Sequence, residues 1–421
     1  MSAVRAGVLP RPVAFWLVGA ALGVFLFAAS APSPLYVVYQ AEFGFSAITL
    51  TSVFAVYVVA LLATLLFTGS LSDAIGRRPV LIGAMLVEIA AMVLFVVARD
   101  VTWLFAARIV QGVATGAATG ALSASLIDLG PPRNPSLGLL VNSVVPGAGL
   151  AVGALGTGLL VQYGPAPTGL VFYLLAGALA VAVLGTLAMR EPLANPSRGP
   201  ASLRPRVGVP RAARGTFAAA APTLVATWAL GGLYLSLGPS VALGILHVAN
   251  HLVGGLVIFA LAGAGAVTAV LLRSWTPHRL MLVGALALVL GVGVTLLALS
   301  MRSTPIFFAG TVVSGVGFGA AFLGAFRTVS GLAAPDQRAG LIAAVYIVSY
   351  LAFSLPAVAA GIAVTLVGLP TTSVIYGAGI AVLAAAAGIA TLAEGRGART
   401  RASGGHDAPC AGTVPPADRA A

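Results

Sequence analysis

The chain has 421 residues, 59% of them hydrophobic and only 8% charged, where soluble domains carry about a quarter charged residues. So few charges cannot keep a water-facing surface wet over this length, which excludes a soluble enzyme or binding module and defines a polytopic membrane protein. The 22 basic residues, all arginine, outnumber 10 acidic ones for a formal charge of +12. They are scattered between apolar runs rather than gathered on one face, which argues against a nucleic-acid surface.

In chain order, apolar runs long enough to cross a bilayer as helices occupy 13–38, 46–68, 80–98, 102–124, 137–160 and 168–189, then 215–237, 249–272, 280–299, 304–326, 340–364 and 371–393. Ala29-Ser30-Ala31 imitates a signal-peptidase site, but the run continues past it to Val38 and reads as a first span. Residues 190–214 carry six arginines and the prolines 192, 196, 200, 205 and 210. Such a stretch builds no core and reads as a linker. The expected organisation is therefore a bundle of six spans over 1–189, a linker over 190–214, a second bundle over 215–393 and a disordered tail over 394–421. The single cysteine, Cys410, lies in that tail, so neither an intrachain disulfide nor a cysteine metal site is expected.

Arginine placement sets the orientation. With both ends in the cytoplasm, every arginine except Arg99, Arg302 and the intraspan Arg108 falls in a cytoplasmic segment, as the positive-inside rule requires. Arginine to the exclusion of lysine hints at a GC-rich bacterial genome and hence a cell inner (plasma) membrane. The halves also resemble each other: Gln111–Ala118 in the fourth span matches Ser314–Ala321 in the tenth at an offset of 203, and Arg78–Gly83 parallels Arg279–Gly284 at 201. Duplicated six-helix halves are a transporter architecture, with the substrate site at their interface near the midplane.

Between the second and third spans stands the polar loop Gly69-Ser70-Leu71-Ser72-Asp73-Ala74-Ile75-Gly76-Arg77-Arg78-Pro79. The glycines permit tight turns, and Asp73 can accept hydrogen bonds from arginine or from a helix N-terminus. This pattern between two spans resembles the signature loop of the major facilitator superfamily. The resemblance covers residues 13–393 and implies an all-α fold of twelve transmembrane helices in two pseudo-symmetric halves, working by alternating access. It also implies that the loop formed by Gly69, Asp73, Gly76, Arg77 and Arg78 latches the halves together at the cytoplasmic side.

Arg108 lies about seven residues into the fourth span, roughly 10 Å from its outer end, where a permanent charge marks function unless it snorkels to the interface. Arg108-Ile109-Val110-Gln111-Gly112, with Gly116 a turn further on, resembles the family's fourth-helix motif, whose arginine is associated with proton coupling. Glu88 is the acid inside the third span and suits a proton carrier, unless Arg108 pairs with it or it serves a structural contact. In the fifth span, Pro146, Gly147, Gly149 and Gly153 loosely resemble the motif of proton-antiporting exporters, without its usual glycine order; kinking and close packing give a plainer role.

Tyr36, Asn142, Trp228, Tyr234, Tyr346 and Tyr350, with Ser33 and Ser349, are candidates to line a substrate cavity, or serve as packing and interfacial anchors. His247 and His251 are four apart, but no acid or cysteine accompanies them, so no metal site is expected. No nucleotide-binding loop or nucleophile–base set appears, so neither an ATP-driven pump nor an enzyme is expected. The reading is a proton-driven exporter of lipophilic or drug-like small molecules, a monomer in the lipid bilayer without cofactor or nucleic acid. Two alternatives stay open: a carrier of a metabolite or organic anion with Arg108 as substrate ligand, and a non-transporting sensor or scaffold.

Overall fold

Backbone N–H and C=O groups find no water inside a bilayer, so an apolar run of spanning length closes its hydrogen bonds on itself as a helix. The computed structural model describes residues 9–68, 71–134, 136–193, 207–331 and 338–404, the side chains of 338–339 and 394–404 excepted. Among the described residues, twelve helical stretches are long and apolar enough to cross a membrane.

The first half comprises α1 (Arg11–Ser30), α2 (Pro32–Phe43), α3 (Ala47–Thr68), α4 (Leu71–Ile75), α5 (Arg77–Val96), α6 (Val101–Asp128), α7 (Ser136–Tyr163) and α8 (Leu170–Ala188). The second comprises α9 (Arg214–Gly244), α10 (His251–Leu271), α11 (Pro277–Met301), α12 (Thr304–Ser330), α13 (Arg338–Val367) and α14 (Leu369–Gly404). Polar caps start several of them. Asp100 Oδ1 accepts from the N–H of Thr102 at 2.8 Å at the head of α6, and Asn250 Oδ1 accepts from Leu252 N–H at 2.9 Å at the head of α10.

Two expectations need correction and one refinement. The first span runs from Arg11 to Phe43, but its hydrogen-bond ladder lapses midway: α1 ends at Ser30 and α2 starts at Pro32, with Ala31 between them in helical conformation. Pro32 has no N–H to give the carbonyl of Ala28, and Pro34 has none for Ser30, so the helical ladder breaks there. The stretch 69–79 is only partly a loop, because Leu71–Ile75 coil into α4 and Arg77 and Arg78 open α5; Gly69 itself lies outside the described residues. Finally, α14 runs beyond 393 to Gly404. Residues 394–404 contain no proline to stop the helix, which continues where disorder was expected. Cys410 and the linker residues 194–206 lie outside the described residues.

The even number of spans brings the linker and the starts of α5, α7, α11 and α13 to one end, the linker face. The turns after α2, α5, α7, α9, α11 and α13 occupy the other end, the far face. In the first half α6 packs on α3 and α5, and α1 packs on α7; in the second α12 packs on α11 and α10, and α9 packs on α13 and α14. The halves meet along two seams, α7 on α10 and α3 on α13. Both seams need bare backbone near the far face: a Cβ on Gly255 would sit 2.3 Å from the Ala154 carbonyl oxygen, and one on Gly361 only 2.0 Å from Thr51 Oγ1.

Candidate functional site: a buried polar string and an aromatic seam

The break in the first span creates the first site. Gln111 on α6 donates from Nε2 to the Ala28 carbonyl at 2.9 Å, filling the place that Pro32 leaves vacant. One turn away, Arg108 donates from one terminal nitrogen to the Ala29 carbonyl at 3.2 Å and to Gln111 Oε1 at 2.7 Å. Its Nε and the other terminal nitrogen both donate to the Tyr36 hydroxyl, at 2.8 and 2.6 Å. The guanidinium carbon also lies 4.7 Å from the centre of the Tyr57 ring, a cation–π contact. Gln111 Nε2 reaches on to Glu88 Oε1 at 3.1 Å, while Glu88 Oε2 has no hydrogen-bond partner among the described residues.

Arg108, Glu88 and Gln111 are each 0% exposed. Arg108 therefore does not snorkel to the interface, and its hydrogen-bonding capacity is nearly filled by its own half. It does not pair directly with Glu88 as its reach allowed; Gln111 stands between them. Tyr36 is buried against the arginine, so it closes this string instead of lining an open cavity. Tyr57 was not singled out from sequence, because a tyrosine in mid-span carries no local mark. The break that frees the Ala28 carbonyl was visible as Pro32.

The glycines of the fourth and fifth spans bring helices into contact. A Cβ on Gly112 would sit 2.4 Å from the Tyr57 carbonyl and one on Gly116 2.5 Å from that of Leu61, so α6 lies backbone-to-backbone on α3. On α7, a Cβ on Gly149 would come 2.8 Å from the Gly23 carbonyl and one on Gly153 2.4 Å from Ser30 Oγ, both on α1. Gly147 faces Ala266 across the seam. Pro146 stays inside α7 without ending it, and Asn142 is half-buried on that helix.

At the linker face, Arg77 is the hub. It pairs with Asp73 in a very short contact, donates to Ser72 Oγ at 2.7 Å, and meets Asp128 Oδ2 at the end of α6 at 3.3 Å. Glu191, just after α8, caps α5: its carboxylate accepts from the N–H groups of Arg77 at 2.7 Å and Arg78 at 3.0 Å. Arg78 donates from Nε to the Thr186 carbonyl at 3.0 Å. Gly76, at φ 102°, makes the turn, and a Cβ there would sit 2.8 Å from Glu191 Oε2. These contacts of Arg77 and Arg78 lie within the first half. Asp128 and Glu191 escaped the sequence reading, although acids at the linker-face ends of the fourth and sixth spans were the signal.

A third cluster occupies the α3–α13 seam. Trp228 of α9 meets Phe322 of α12 at 5.5 Å between ring centres, and Tyr350 and Phe353 of α13 at 5.4 Å each. Phe353 reaches Phe54 of α3 at 5.0 Å, and Tyr350 stacks on Tyr346 at 5.9 Å. Trp228, Tyr346 and Tyr350 thus belong to one ring cluster. Tyr234 does not join them; its hydroxyl meets Thr311 Oγ1 at 3.0 Å inside the second half. His247 sits in the turn before α10, with φ 56°, and His251 opens the helix, so the two share no helix face.

Tyr234 and Thr311 reveal a neutral copy of the polar string. The offset of 203 that aligns the fourth and tenth spans carries Arg108 onto Thr311 and Gln111 onto Ser314, and Gly291 of the ninth span faces Ser314 as Glu88 of the third faces Gln111. Where Gln111 meets Glu88, a Cβ on Gly291 would lie 2.6 Å from Ser314 Oγ, and the Tyr234 hydroxyl repeats the contact of Tyr36. A small apolar crevice of about 30 Å³ lies nearby, lined by Tyr234, Val292, Thr295 and Phe307 among others.

The sequence of residues 18–357 matches the family model for the Major Facilitator Superfamily. The chain belongs to that superfamily and is a membrane transporter. Among solved structures, it is similar to the human organic anion transporter MFSD10 (TETRAN), with a TM-score of 0.63 and 16% identity over 90% of this chain and 100% of that one. It is also similar to a bacterial homologue of the human lysosomal transporter Spinster, inward-facing and unoccupied. That match has a TM-score of 0.70 and 14% identity over 90% of this chain and 97% of the other. At such identities the likeness is one of fold. A search of the curated proteins finds no match.

Proposed function

We propose that the chain is a proton-coupled exporter of lipophilic small molecules, working by alternating access in a cell inner membrane with both termini cytoplasmic. The observation that carries this reading is the string Glu88–Gln111–Arg108–Tyr36, threaded onto the broken first span. As a carboxylate, Glu88 balances the charge of Arg108 in a region that excludes water. A proton on Glu88 leaves the arginine charge uncompensated, which is costly there. The Gln111 contact then changes, and with it the grip of Gln111 and Arg108 on the Ala28 and Ala29 carbonyls. Protonation is thus linked mechanically to the shape of α1 and α2, and α2 borders the second half at α9 and α10.

The halves touch at the far face. There α2 packs on α9 and α10, Gly361 lies on Thr51, and the His251 N–H donates to Gln162 Oε1 at 2.9 Å. The proposed cycle opens this face and closes the linker face, with Asp73, Gly76, Arg77 and Arg78 biasing the balance. The linker separates two six-helix bundles that move as bodies, and the protein works as a monomer. Lipophilic substrate parts the aromatic seam at the interface.

Protein in liposomes with a pH-sensitive dye inside tests this reading. An inward proton gradient is imposed and lipophilic cations, neutral aromatics and organic anions are added in turn. Substrate-dependent proton flux that disappears in Glu88→Gln supports it; flux that ignores Glu88 defeats it. The charge of Arg108, with no carboxylate in direct contact, favours a second reading as an organic-anion carrier, the activity named for MFSD10. Anion flux indifferent to Glu88 and lost in Arg108→Gln would support that one instead.

A further inference from the structure

We propose that Trp228 is the hydrogen-bond donor of the substrate site, and that the rings around it receive a flat aromatic molecule bearing a carbonyl or similar acceptor and no positive charge. The proposal rests on the transport reading and names its substrate class. Trp228 stands halfway along α9, in contact with rings from α12 and α13, and Phe353 links it to Phe54 of the other half. The cluster therefore spans the seam that alternating access must part. Edge-on and stacked ring contacts are the geometries an aromatic guest can replace.

The indole N–H can only donate. It is shielded from solvent and has no partner among the described residues. Ser349, 0% exposed, also leaves its hydroxyl without a partner, and its register places it on the α13 face that carries Tyr346, Tyr350 and Phe353. By contrast, the hydroxyls of Tyr234 and Tyr376 are both hydrogen-bonded, as are Thr227 and Ser236 on α9 itself. Native interiors rarely leave a buried donor idle, and a guest that supplies the acceptor resolves it.

Charge decides the class of guest. Over 214–393 the only acidic residue in the sequence is Asp336, which lies outside the described residues, after the end of α12 and before the start of α13. No carboxylate on the spans of the second half faces the cluster, and the positive end of the indole N–H opposes a cation.

The test uses the whole protein in lipid nanodiscs with propionyl-dimethylaminonaphthalene. This uncharged fluorophore emits further to the red when its carbonyl accepts a hydrogen bond. Saturable binding is expected, red-shifted against empty nanodiscs. Trp228→Phe should weaken binding about tenfold and remove the red shift. Dimethylaminonaphthalene, which lacks the carbonyl, should bind wild type and Trp228→Phe equally, which also shows the ring cluster intact. Absence of saturable binding, or an affinity and red shift unchanged in Trp228→Phe, overturns the proposal. So does tetraphenylphosphonium binding more tightly than the neutral probe and displacing it. The assay contains no proton gradient, so its outcome is independent of proton coupling. A protein that moves protons with other substrates survives a negative result here.

Discussion

At the scale of single residues, Arg108 shows what a planar, always-charged fork does that a point charge does not. One guanidinium holds a hydroxyl on α2, a carbonyl at the end of α1 and an amide on α6. In Arg108→Lys the charge survives but the three holds cannot, and each abandoned buried group costs about 1–3 kcal/mol. Melting of the purified variant should fall by several degrees, with transport in liposomes below a tenth of wild type. Glu88→Gln is a different kind of change. It keeps the shape but, like a proton, removes the charge that balances Arg108, so melting should fall at neutral pH while proton flux is lost; proton flux retained in this variant would mark Glu88 as a structural prop. The sequence picked out Arg108, Gln111, Tyr36 and Glu88 one by one, as polar side chains in apolar runs. It did not order them, because the order depends on which face each helix turns inward. The role of Gln111 as spacer between the two charges is a product of tertiary packing.

At the scale of elements, the long helices were legible because length and hydropathy alone force them, and their ends moved by only a few residues on most spans. Two features were less legible. The gap between α1 and α2 hinges on Pro32, and proline in a membrane span is compatible with either a kink or a full break until the neighbouring helix is known. Pro32→Ala restores an N–H for the Ala28 carbonyl in competition with Gln111. The first span should straighten, with substrate-driven proton flux reduced several-fold and melting unchanged or raised. The second feature is α5, whose first turn is capped by Glu191 from beyond α8, a contact no local pattern announces. Glu191→Ala should cost about 1 kcal/mol, as lost caps do, seen as a lower melting temperature, with Glu191→Gln recovering part of it. No change in either variant would mean that the arginines, not the cap, hold the turn.

At the scale of the whole molecule, the seams between the halves are built for sliding: bare glycine backbone near the far face, rings in the middle. Gly255→Leu places a side chain where only the Ala154 carbonyl now fits, so the far face should stay ajar. In a Cys410→Ser background, a cysteine at Ser33 should react with an impermeant maleimide several-fold faster in Gly255→Leu than without it. Equal rates would show that the α7–α10 seam does not gate that face. The duplication at offset 203 foretold two related bundles, but not that one copy of the polar string had lost its charges, since Thr311, Ser314 and Gly291 are unexceptional in any apolar helix.

That loss makes the molecule a pair of unequal siblings. One bundle keeps an ionisable heart, and its twin, built on the same plan, carries only neutral side chains there. Among the described residues, acid then reaches a buried carboxylate in only one of them. Amide exchange in α1, α2, α5 and α6 should shift as the medium is acidified, while the middles of α9 and α12 keep their rates and serve as the fixed wall against which the other bundle turns.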